Sequence, residues 1–122
     1  MAIILLVEDD NDLRQMLSSA IKKKKHTVIE AVNGRDAANK FKSSLVDLVI
    51  TDILMPEQDG IGLIIELKKT KKELKVIAIS GGGKAGPSNY LDIARALGAD
   101  AIFPKPFSLQ DILREMEKIL EE

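Results

Sequence analysis

Four polar residues or groups stand just beyond four apolar runs. Ile3 to Val7 leads into Glu8, Asp9 and Asp10, and Val46 to Ile50 leads through Thr51 into Asp52. Val76 to Ile79 runs into Ser80, and Ala101 to Phe103 is followed closely by Lys105. Carboxylates brought close together repel one another, and relief comes from a raised pKa or a bound cation. Glu8, Asp9 and Asp52 carry three negative charges, so Lys105 and one divalent ion would balance them. A donor set of oxygens without His or Cys selects a hard cation. A few carboxylates with room for water suit Mg²⁺ better than a Ca²⁺ cage, and the spacing lacks the EF-hand pattern.

A carboxylate beside such a cation can accept a phosphoryl group when it lies in line and nearby positive charge offsets the transferred group. Asp52 is the candidate acceptor. Lys105 would pair with the phosphoryl oxygens and the acceptor carboxylate, and Ser80 would donate a hydroxyl hydrogen bond once the phosphoryl group is present.

These residues meet only if the runs are strands of one sheet. Ile3 to Val7, Thr27 to Ile29, Val46 to Ile50, Val76 to Ile79 and Ala101 to Phe103 are short, apolar and largely β-branched, which predicts five strands. Helical spacing puts Leu13, Met16, Leu17, Ala20 and Ile21 on one face, and Leu109, Ile112, Leu113, Met116 and Leu120 on another. Weaker helical patterns cover about 35 to 43, 58 to 69 and 88 to 97. Strict alternation predicts an α/β fold: a doubly wound, five-stranded parallel sheet with helices on both faces, since each parallel connection needs a crossover. In the order 2-1-3-4-5, strands one and three are neighbours at the switch point, where open α/β sheets bind ligands at the carboxyl ends of their strands. Asp9 and Asp52 would then nearly touch.

The 122 residues suit a single domain, 1–122, which would bury roughly two-thirds of its unfolded surface. The 18 Lys and Arg against 19 Asp and Glu leave a net charge of -1, so no overall field draws the chain to nucleic acid or anionic lipid. No apolar run approaches the ~20 residues that span a bilayer, so no membrane segment is expected. The absence of cysteine excludes disulfides and thiolate chemistry and permits a reducing cytoplasm, the expected location.

Across essentially its whole length the chain resembles the response-regulator receiver family, the CheY-like domains of two-component signalling. The resemblance rests on Leu6-Val7-Glu8-Asp9-Asp10, on Asp47 to Asp52 with Met55-Pro56 and Asp59-Gly60, on Ser80, on Gly98-Ala99-Asp100 and on Lys105-Pro106-Phe107. It implies a flavodoxin-like fold and a signalling switch rather than an enzyme. Asp52 would be phosphorylated by a histidine kinase or phosphotransfer protein, with Mg²⁺ held by Asp9, Asp52 and the Leu54 main-chain carbonyl, and with Glu8 acting through metal-bound water. It further implies a cis Lys105-Pro106 peptide, and output through a protein bound at the face of the fourth helix, fifth strand and fifth helix, the chain being a monomer or a phosphorylation-dependent dimer. Ile102 stands where many relatives carry an aromatic residue, with Phe103 after it, so output is expected through ordering of the glycine-rich loop Gly81 to Pro87.

Blander roles fit other residues. Asp10 or Asn11 would cap the first helix. Lys22 to Lys25 would face water at a helix C-terminus favoured by its dipole. His26, without a second His, is expected in a turn with no chemical role. Three rival functions are open: a phosphohydrolase with an Asp nucleophile, disfavoured by Leu54 where a second acid is normal; a flavin-binding module, disfavoured by Glu8, Asp9 and Asp10; and a receiver-shaped module that never meets phosphate.

Overall fold

Strand and helix alternate as the apolar runs dictate. The computed structural model describes residues 1–53, 60–80, 92 and 95–121, and within them lie β1 (Ile3–Val7), α1 (Asn11–Lys23), β2 (Thr27–Ala31), α2 (Gly34–Lys42), β3 (Leu48–Asp52), α3 (Gly60–Thr70), β4 (Lys75–Ser80), β5 (Ala101–Pro104) and α4 (Leu109–Glu121). All strand pairings are parallel, in the order β2-β1-β3-β4-β5. The expected doubly wound sheet is therefore present. No helix among the described residues is long and apolar enough to cross a membrane.

Period-two alternation along each strand divides the core in two. Leu5, Val7, Val49, Val76 and Ala78 point to one face, where α2 and α3 cover them with Phe41, Leu63, Ile64 and Leu67. Ile4, Leu6, Leu48, Ile50, Ile77 and Ile79 point to the other, covered by Leu17 and Ile21 of α1 and by Ile112, Met116 and Ile119 of α4. A fully buried Leu or Ile side chain contributes roughly 1.5–3 kcal/mol relative to exposure, so both layers matter to stability.

Several boundaries differ from the sequence reading. β3 starts at Leu48 and runs through Asp52, because Thr51 and Asp52 keep their ladder partners Ala78 and Ile79 although the apolar run has ended. β2 continues to Ala31, which pairs with Val7. The buried stripe of α1 is Arg14, Leu17, Ser18 and Ile21, while Met16 is exposed. The stripe is rotated because Arg14 and Ser18 turn inward to a polar partner on β2. The helix expected at about 88 to 97 lies largely outside the described residues, with Asp92, Arg95 and Ala96 helical within it.

Loop and cap chemistry sets where the site begins. Asp10 is the N-cap of α1, its carboxylate accepting from the N–H groups of Asp12 at 3.0 Å and Leu13 at 3.2 Å, as the capping reading expects. Lys22 to Lys25 are exposed, Lys25 with a φ of 73° in the turn that ends α1. Asp47 accepts from Ile3 N at 2.8 Å, and Asp100 from Val76 N at 2.8 Å, so two acidic residues just ahead of β3 and β5 fasten the N-terminal edge of the sheet. The Lys105-Pro106 peptide is cis.

Candidate functional site

At the carboxyl edge, three neighbouring strands end in polar side chains. β1 and β3 pair through Val7 and Thr51, so the next residue of each, Glu8 and Asp52, emerges side by side. Asp52 pairs with Ile79 of β4, which places Ser80 one residue further along the adjacent strand. Ser80 pairs with Pro104 of β5, and its carbonyl accepts from Lys105 N at 2.7 Å, so Lys105 also arrives at this edge. Glu8, Asp52 and Ser80 are all buried, whereas Asp9 is exposed and Lys105 partly so.

The acidic cluster expected from the sequence is assembled. Glu8, Asp9 and Asp52 each offer a carboxylate oxygen within 4.8 Å of the others. Lys105 Nζ donates to Asp52 Oδ2 at 2.8 Å and to Glu8 Oε1 at 3.3 Å. Glu8 also accepts from Asp10 N through Oε2 at 3.0 Å. One cation thus bridges two buried carboxylates, and the third carboxylate reaches in from solvent.

The electrostatics follow from burial and crowding. Desolvation pushes the Glu8 carboxyl up to about 7, with the Asp52 charge adding to the rise, while the Asp10 N–H and the Lys105 charge oppose it. Burial alone would lower Lys105, but its hydrogen bond and charge pairing with Asp52, helped by Glu8, carry it above the usual lysine range. Glu8 is therefore ready to hold a proton near neutrality, and Lys105 remains charged. Oxygen donors, two of them desolvated, match the needs of a hard divalent cation, which would relieve the same crowding.

Leu54, whose carbonyl the resemblance added to the metal ligands, lies outside the described residues, as do Met55, Pro56 and Asp59 and the loop from Gly81 to Pro87. Among the described residues, Glu8, Asp9, Asp52 and Lys105 come together, with Ser80 on the adjoining strand end. Ile102 and Phe103 are partly buried on opposite faces of the sheet, Ile102 against the α2/α3 layer and Phe103 against the α1/α4 layer.

Three features escaped the sequence reading. Arg14 is buried beside Glu8, donating to its carbonyl oxygen at 2.9 Å. Glu30 of β2 pairs with Arg14 at 3.1 Å and accepts from Ser18 Oγ at 2.9 Å. Burial alone would raise the Glu30 carboxyl, but Ser18 and Arg14 hold it below the usual range. His26, expected in a turn without a role, accepts from Ala2 N through Nδ1 at 3.0 Å. Its other nitrogen, Nε2, therefore carries the hydrogen toward Glu117 Oε2 at 3.1 Å. Nothing in residue spacing announces such contacts, since each partner sits on a different element.

Comparison with known proteins agrees with this geometry. Residues 4–117 match the family model described as "Response regulator receiver domain". The chain is 37% identical over 118 residues to the response regulator receiver protein CpdR of Brucella abortus, covering 96% of this chain and 95% of that protein. It is 36% identical to the chemotaxis protein CheY of Bacillus subtilis, covering 96% of each. The non-phosphorylated HemR receiver domain from Leptospira biflexa superposes with a TM-score of 0.88 at 30% identity, over 100% of this chain and 96% of that one. With its sheet order, acidic pocket and sequence in agreement, the chain belongs to the response regulator receiver domain family and is a phosphorylatable signalling switch.

Proposed function

We propose that Asp52 is the phosphoryl acceptor of this switch. The observation that carries the reading is the Lys105 ammonium, 2.8 Å from Asp52 Oδ2 at a strand end where Glu8 and Asp9 complete an acidic pocket. In the reaction an Asp52 carboxylate oxygen attacks phosphorus in line, the donor leaves with the electron pair of its bond to phosphorus, and an acyl phosphate results. Lys105 offsets negative charge on the transferred group, and Ser80 donates its hydroxyl to a phosphoryl oxygen.

Asp9 and Asp52, with Glu8 through a water molecule and the Leu54 carbonyl, would hold Mg²⁺. When bound, that ion supplies the charge neutralisation an anionic acceptor needs beside an anionic donor. The donor would be a histidine kinase or a phosphotransfer protein. Output would pass to a protein docking on the helix expected at about 88 to 97, β5 and α4, without turnover of a substrate, in a monomer or a phosphorylation-dependent dimer. Residues 1–122 act as one receiver unit on this reading. The lack of cysteine suits a cytoplasmic setting.

Intact mass after brief incubation with acetyl phosphate or a phosphoramidate and Mg²⁺ tests the proposal. One added phosphoryl group on the wild type and none on Asp52→Asn is expected. An equal mass gain on both proteins would move the acceptor elsewhere, and steady multiple turnover of a phosphate ester would make the chain a hydrolase.

A further inference from the structure

The phosphoryl chemistry leaves one buried charge beside the pocket without a role. Arg14 lies on the inward face of α1, only 9% exposed. Its guanidinium is held in three directions: Nη1 donates to Glu8 O at 2.9 Å, Nη2 to Asn11 Oδ1 at 2.6 Å and Nε to Glu30 Oε1 at 3.1 Å. Glu30 is fixed in turn, since Ser18 Oγ donates to its second carboxylate oxygen at 2.9 Å and Lys40 Nζ to its main-chain carbonyl at 2.6 Å. Only arginine presents a rigid planar fork that can serve three acceptors at once.

The carbonyl that Arg14 grips belongs to the peptide joining Glu8 to Asp9. Glu8 is tied to the sheet by its own N–H, which donates to Ala31 O at 3.1 Å. Asp9 is exposed, so packing does little to aim its side chain, and beyond its hydrogen bond with the Glu8 carboxyl its direction depends on the backbone it leaves from. That carboxylate nevertheless lies within 4.8 Å of those of Glu8 and Asp52.

We infer that Arg14 is a positioning residue for the acidic pocket: by fixing the Glu8–Asp9 peptide from inside the protein, it sets where the Asp9 carboxylate stands and how well the three acids share a divalent cation. The inference rests on the functional reading above. Groups that orient metal ligands from behind commonly change affinity when lost, even though they never touch the ion. Glu30, with Ser18 behind it, pairs with Nε on the side of the guanidinium away from the pocket and supports its burial, while the hold on Glu8 O comes from Nη1.

The test separates positioning from mere support of the core. Arg14→Met, Arg14→Lys and Glu30→Gln are compared with the wild type by thermal melting, by Mg²⁺ titration followed through amide chemical shifts, and by exchange of the Asp10 amide in metal-free protein. Arg14→Met is expected to weaken Mg²⁺ binding about tenfold and to speed Asp10 exchange. Arg14→Lys should recover part of both, because one ammonium reaches Glu8 O but cannot span all three acceptors. Glu30→Gln keeps the grip on Glu8 and should melt earlier with Mg²⁺ binding unchanged.

Two results overturn the inference: Arg14→Met with wild-type Mg²⁺ affinity and Asp10 exchange, or Mg²⁺ affinity that simply tracks melting temperature across all three variants. A wild type that takes up no Mg²⁺ would overturn the functional reading and the cation half of this inference. The exchange comparison would still decide whether Arg14 holds the peptide.

Discussion

Lys105 Nζ stands between Asp52 Oδ2 at 2.8 Å and Glu8 Oε1 at 3.3 Å, so a single ammonium serves two buried carboxylates at the ends of neighbouring strands. It therefore does two opposed things: it offsets charge on an incoming phosphoryl group, and it competes with a second cation for the same oxygens. Lys105→Met should slow phosphorylation by a small phosphoramidate about a hundredfold, the scale of losing one transition-state donor. The same variant should bind Mg²⁺ more tightly, because the remaining pocket is more negative. Stopped-flow phosphorylation and calorimetry would show the two effects moving in opposite directions.

Glu8 gives the metal-free protein a particular pH dependence. Its folded pKa is about 7 against 4.5 for a solvated glutamate, so between those values the folded state holds its proton while the unfolded state has lost it. Its contribution to stability is therefore complete below about pH 4.5 and disappears as the pH rises to about 7, by a few kcal/mol at most given roughly 1.4 kcal/mol per unit. Lys105 titrates far above this window and does not oppose the trend. Denaturant melts from pH 4.5 to 8 should show the fall in wild type and a flatter profile in Glu8→Gln. Added Mg²⁺ should restore stability at pH 7 and above.

Gly60 opens α3 directly beneath the acceptor strand. A Cβ there would collide with the Asp52 carbonyl oxygen and stand 2.6 Å from Ile53 Cα, both main-chain atoms that cannot swing aside. Gly60 N also donates to Ile53 O at 2.8 Å. Gly60→Ala should cost about 1–3 kcal/mol, the range for forcing extra volume into a packed interior, and should slow phosphorylation by shifting Asp52. Urea unfolding and the intact-mass assay read the two consequences.

Asp100 belongs to the same motif set as the pocket residues yet lies at the opposite edge of the sheet, accepting from Val76 N at 2.8 Å. Asp100→Ala should lower stability by about 1 kcal/mol, the net worth of one hydrogen bond, and leave the phosphorylation rate unchanged. A large kinetic effect in the intact-mass time course would contradict a purely structural role.

The sheet order and the pocket were legible because both depend on where apolar runs stop. Glu8, Asp9, Asp52, Ser80 and Lys105 each follow such a run, and a parallel sheet gathers those ends by construction. The ends of β3 were less so, because Thr51 and Asp52 continue the ladder with polar side chains that no hydrophobic pattern marks. Arg14 was missed for a different reason. An arginine on an amphipathic helix is ordinarily assigned to water, and its burial here depends on Glu30, which sits on the next strand and is pointed inward by Ser18. Likewise the partners of His26 come from the first residues of the chain and from α4, at a separation no local pattern conveys.

Consecutive residues of β1 belong to different halves of the interior, Leu5 facing α2 and α3 and Leu6 facing α1 and α4. The strand therefore carries a parity. Inserting one residue within Ile3 to Val7 would swap the faces of every β1 residue beyond it and turn Glu8 away from Lys105 in the same stroke, whereas inserting two keeps the faces but slides Glu8 and Asp9 about 6.6 Å along the strand, past Asp52. Length variation in this chain has to fall in the helices' connections, and the sheet itself tolerates substitution far better than any change in count.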